Sequence, residues 1–132
     1  MIRIENKKTY RGEGIYVGRK MPGIPGSLLG NPFRIGCDGT RVQIISKYRR
    51  WLWEQIKLKN EAYDELRRIA ELARQGDVTL VCWCVPELCH ATVIERSVEF
   101  LNSAGAVGGK RAFAVFEEKL DLSKRLGRSC RA

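Results

Sequence analysis

The chain has 132 residues, 44% hydrophobic and 30% charged, the size and balance of a single soluble domain rather than a disordered or fibrous chain. No apolar run approaches the roughly 20 residues that span a bilayer, and Met1-Ile2-Arg3-Ile4-Glu5-Asn6 lacks the apolar core of a signal peptide. The expectation is a cytoplasmic protein with no membrane partner.

In chain order, Ile2-Arg3-Ile4 alternates weakly and reads as a short edge strand. Gly14-Ile15-Tyr16-Val17-Gly18 reads as a second strand, β-branched and aromatic inside and bounded by glycines. A long loop, 19–39, follows and carries all but one of the 4 prolines. Loops of this length in a compact domain are usually functional or disordered. Here Leu29-Gly30-Asn31-Pro32-Phe33 pairs a turn signal with buried-type side chains and speaks against disorder.

Asp38-Gly39-Thr40 offers N-caps for an amphipathic helix over 41–59, with Ile44, Ile45, Tyr48, Trp51, Leu52 and Ile56 on its apolar stripe. A second helix is expected over 61–75, with Ala62, Leu66, Ile69, Ala70 and Ala73 inward and Gly76 as its stop. The run Val78-Thr79-Leu80-Val81-Cys82-Trp83-Cys84 has no polar alternation, as in a strand buried on both faces. It ends in a turn through Pro86 and enters a third helix whose Ala91, Ile94, Val98 and Leu101 share a face. Residues 1–104 thus form an α/β core domain. Residues 105–132 form a basic C-terminal extension, a strand or a helix with a frayed end.

Strand, helices, strand, helix is the grammar of a mostly parallel open sheet, here a small Rossmann-like three-layer α/β sandwich. Parallel strands present their carboxyl ends on one edge, so loop 19–39 and the turn 85–90 are expected to meet there, where such sheets bind ligands. The net charge of +9 points to polyanions or phosphorylated ligands, a nucleotide among them. Much of that charge lies on helix surfaces, however, where solvation explains it.

Tyr16-Val17-Gly18-Arg19, Leu29-Gly30-Asn31-Pro32-Phe33, the helix with Tyr48 and Trp51-Leu52, Leu80-Val81-Cys82-Trp83-Cys84 and Pro86 through Cys89-His90 together resemble the domain-of-unknown-function family numbered 4326. That family occurs in bacteria, archaea and their viruses. The resemblance covers residues 16–101. It supports the fold and the place of the site and implies no particular reaction. In the family the Cys-His pair is commonly followed by Gly-Asp; here Ala91-Thr92 stands instead, so no carboxylate is available at that point.

The residues allow several chemistries. Gly18, Arg19, Gly30, Asn31 and Arg34 offer backbone N–H groups and guanidinium ions to a phosphate; the plain alternative is a tight turn anchored by Pro32 and Phe33. GxGxxG and Walker A patterns are absent. Cys82 and Cys84, two apart on a strand, share a face, and Cys84 lies at the ligand edge. With Cys89 and His90 they could hold zinc or iron, although buried cysteines are common in sheets and Cys-x-Cys is not the usual knuckle. Cys89, in the first turn of a helix, is expected to have a lowered pKa and to be a candidate nucleophile. His90, the only histidine, is the candidate acid or base, or else a residue that simply ties the helix start to the loop. Trp51 and Trp53 cannot face the same way on a helix, so one is expected at a subunit or tail contact, compatible with a homodimer.

The reading these features support best is a protein that binds a nucleotide or other phosphorylated small molecule at the carboxyl edge, with action on a nucleoside-type substrate by fold analogy. The cofactor is left open. Alternatives are a non-enzymatic nucleic-acid-binding accessory protein and a zinc- or iron-binding structural domain.

Overall fold

The computed structural model describes residues 1–85 and 87–103; Pro86, residue 104 and the extension 105–132 lie outside the described residues. The elements are β1 (Ile2–Asn6), β2 (Ile15–Tyr16), α1 (Arg41–Leu58), α2 (Glu61–Gln75), β3 (Val78–Cys82) and α3 (His90–Asn102). The sheet order is β1-β3-β2, and both pairings are parallel. The most apolar strand takes the centre because it alone is flanked on both sides.

Register explains which side chains reach the core. Ile4 and Ile15 both lie opposite Leu80, so Ile2, Ile4, Ile15, Val78, Leu80 and Cys82 share one face. These residues join the single apolar cluster contributed by all three helices. The other face carries Arg3, Glu5, Thr79, Tyr16 and Val81, of which only Val81 is buried. Among the described residues the arrangement is therefore a mixed α/β fold of three helices and a three-stranded parallel sheet.

Two strands are shorter than their composition suggests. β2 covers only Ile15–Tyr16 rather than residues 14–18. Its backbone lies so close to β3 that a Cβ at Gly14 would meet the Val81 Cγ2 at 2.6 Å. The Val17 N–H still donates to the Val81 carbonyl at 3.0 Å before the chain turns away. β3 stops at Cys82. Cys84 lies in a turn, where its carbonyl accepts from the Glu87 N–H at 2.8 Å.

The helices follow their sequence signals closely. Thr40 caps α1 through a reciprocal box: its hydroxyl accepts from the Gln43 N–H at 3.3 Å, and Gln43 Oε1 accepts from the Thr40 N–H at 2.9 Å. Asn60 caps α2, and Gly76 ends it. On α1 the buried seam also takes in Trp53, edge-on to Phe100 of α3 with ring centroids 6.1 Å apart, while Ile56 packs partly buried against the same cluster. Trp51 is half-buried against Tyr48 at 5.4 Å. No helix among the described residues is long and apolar enough to cross a membrane.

Candidate functional site

The carboxyl ends of all three strands lie on one rim. Loop 19–39 leaves from β2, and the turn 83–89 leaves from β3. From the end of β1, Asn6 Nδ2 donates to the Val85 carbonyl at 2.7 Å and to the Trp83 carbonyl at 3.3 Å, fixing the turn. Helices α1 and α3 begin at the same rim. Between loop and turn lies a cavity of about 450 Å³. Gly18, Arg19, Asn31, Arg34, Cys84, Cys89 and His90 all line it, so the topology brings together nearly every residue singled out for ligand contact or catalysis. Gly30 is absent from its wall.

The loop is held by its own polar groups. The buried Tyr48 hydroxyl donates to the Leu29 carbonyl at 2.6 Å, and Asn31 Oδ1 accepts from the Phe33 N–H at 2.9 Å. Arg19 Nε donates to the Asn31 carbonyl at 2.6 Å, and its Nη2 donates to the Phe33 carbonyl. Arg19 thus clamps the loop with two donors and brings its charge to the cavity wall. Gly30 is required for close approach: a Cβ there would lie 3.0 Å from the Gly18 carbonyl oxygen and 3.1 Å from that of Ser27. Its N–H donates to the Ser27 carbonyl at 3.0 Å. Arg34 is exposed at the rim, and among the described residues no hydrogen bond or ion pair engages its side chain.

His90 opens α3 and is buried. Its Nε2 lies 2.6 Å from the Val17 carbonyl oxygen, which can only accept, so Nε2 carries the proton and Nδ1 is the bare nitrogen. Tyr48 stacks edge-on at 5.1 Å. Burial, chiefly, lowers the imidazole to about 4. The ring is therefore neutral at pH 7. It ties the end of β2 to the start of α3 and is a weak base.

The three thiols converge on the same spot. Cys89 is the N-cap of α3, its Sγ accepting from the Ala91 N–H at 3.5 Å and lying 3.5 Å from His90 Nδ1. The helix-start position favours a thiolate there, but hydrogen bonds to Cys82 and Cys84, together with burial, push the Cys89 thiol up. Cys84 moves the other way, to about 6: the Cys89 hydrogen bond lowers it most, and Arg41 and Arg19 add to that against the cost of burial. Cys82 is lowered to about 7, again mainly through Cys89. Cys89 has one proton to donate. Cys84, with two guanidinium groups beside it, is the stronger claimant for that proton as a thiolate.

Sequence reasoning missed Arg41 and the apolar wall. Arg41 is the first residue of α1; its Nη1 donates to the Leu88 carbonyl at 2.6 Å and its charge reaches Cys84. A signal existed, since a helix that follows a carboxyl-edge loop must begin at that edge. Ile44, Ile45, Leu88 and Trp83 form the apolar side of the cavity. Trp83 is oriented by its Nε1–H donating to the Tyr16 hydroxyl at 2.8 Å. As for metal, among the described residues no group of three or more His, Cys, Asp or Glu side chains is arranged to hold an ion.

Fold and site define a small parallel α/β domain with a cysteine-bearing, arginine-rimmed crevice at its carboxyl edge. The chain belongs to the family described as Domain of unknown function (DUF4326), whose model matches residues 2–100. No curated protein and no solved structure matches it.

Proposed function

We propose that this protein binds a nucleotide or another phosphorylated small molecule in the carboxyl-edge cavity, the anionic group between Arg34, Arg41 and Arg19 and the apolar part against Ile44, Ile45 and Trp83. The observation that carries the reading is that one cavity of about 450 Å³ is lined by three arginines together with Ile44, Ile45, Leu88 and Trp83. That volume falls in the range of small-molecule sites, and a few placed polar groups on an apolar lining is their usual composition. The reading follows the general behaviour of Rossmann-like open sheets, which bind ligands beyond the carboxyl ends of their strands. Action on a nucleoside-type substrate is the further step of the same proposal. It rests on fold analogy, and the available nucleophile for it is Cys84 rather than Cys89.

Thermal unfolding of the full chain with nucleoside mono-, di- and triphosphates and sugar phosphates tests the binding. A ligand at 100 times its Kd stabilises by about 2.7 kcal/mol and raises the Tm measurably. Arg34→Ala is expected to weaken that ligand about tenfold or more while leaving the ligand-free Tm unchanged, because the side chain is exposed. If no phosphorylated compound moves the Tm, the proposal fails. Binding to unrelated DNA and RNA with a steep salt dependence, untouched by Arg34→Ala, would instead support the nucleic-acid accessory role that the net charge of +9 allows.

A further inference from the structure

We propose that Cys84 and Cys89 form a redox-active dithiol site at the floor of the cavity, in which Cys84 attacks a low-molecular-weight disulfide and Cys89 resolves the product. This goes beyond ligand binding and does not depend on it.

Geometry separates the roles of the three sulfurs. Cys82 is 1% exposed, belongs to the paired part of β3 and does not line the cavity. Cys84 is half-buried, lines the cavity and sits beyond the end of the strand, in the turn closed by the Glu87 N–H. A small oxidant can therefore reach it, and its backbone can adjust without breaking sheet hydrogen bonds. Cys89 lies at the next bend of the chain, where it caps α3 and lines the same cavity as Cys84. Arg41 and Arg19 border Cys84 and favour its thiolate, the form that attacks. The protonated, enclosed Cys89 suits the second step, where it reacts with a sulfur already beside it.

The chemistry balances. The Cys84 thiolate attacks one sulfur of the small disulfide RSSR; a Cys84–S–S–R bond forms, the RS–SR bond breaks and RS⁻ leaves. Cys89 gives its proton to solvent and its sulfur attacks Cys84 Sγ, forming Cys84–Cys89 and expelling a second RS⁻. The two protein thiols lose two electrons, and RSSR takes them up to become two thiols.

The test uses the reduced full chain and glutathione disulfide, with free thiols then alkylated and the protein mapped by mass spectrometry. Expected in the native sequence is the loss of two alkylation sites and a peptide cross-link between Cys84 and Cys89. Cys89→Ser keeps a good N-cap and is expected to trap one glutathione on Cys84; Cys84→Ser should give neither product. The proposal is overturned if the cross-link joins Cys82 to Cys89, or if glutathione stops on the exposed Cys37 or on Cys130 while Cys84 remains alkylatable. The native-sequence map decides the matter even if a variant fails to fold.

Discussion

His90 shows how one buried group links the site to stability. Its imidazole titrates near 4 in the folded chain against an ordinary 6.5, because burial disfavours the cation. The unfolded chain therefore takes up a proton between these values and the folded chain does not. The contribution is intact above pH 6.5 and declines as pH falls towards 4, by about 1.4 kcal/mol per unit and about 3 kcal/mol in all. Denaturant titrations across that window should show this slope, and His90→Gln should flatten it. A native protein whose stability is level between pH 6.5 and pH 4 would show that the ring is not held neutral. Asn6 makes the same point without charge: one amide secures Trp83 and Val85, and so the turn that carries Cys84.

At the scale of elements, the cap of α1 does two jobs. The Thr40–Gln43 box satisfies the first N–H groups of the helix, and it sets Arg41 at the cavity rim. Thr40→Ala should cost about 1 kcal/mol of stability by chemical denaturation. By letting the first turn fray, it should also weaken whatever anion the rim binds. Thr40→Ser, which keeps the hydroxyl, should restore both. A loss of stability with no loss of binding would separate the helix start from the site. Loop 19–39 lacks regular structure, yet Tyr48, Arg19 and Asn31 give it internal ties that a flexible lid would not need.

Across the whole molecule, β3 is the shared wall of core and site. Leu80 is fully buried and stands opposite both Ile4 and Ile15, so it links the two outer strands to the helices. Leu80→Ala should cost about 3 kcal/mol by cavity formation, read from denaturant midpoints. A cost below about 1 kcal/mol would mean that the central strand does not organise the fold. The parallel arrangement also makes the site a long-range object. Residues from the ends of β1, β2 and β3 and the starts of α1 and α3 meet there, although Asn6 and Val85 are far apart in the chain.

Much of this was legible beforehand, for local reasons. Apolar periodicity placed α1, α2 and α3 nearly to the residue, and the unbroken apolar run marked β3 as central. Parallel-strand logic put loop and turn on one edge, since strands joined by helical crossovers must point the same way. What the residue string left open was settled by packing between distant segments. Trp53 joined the seam as well because Phe100 was there to receive it. Only the folded chain could turn His90 into a neutral strut and shift the acidic thiol from Cys89 to Cys84. Those outcomes depend on the Val17 carbonyl, Arg19 and Arg41 arriving from elsewhere, and a pKa is set by neighbours in space rather than by neighbours in sequence.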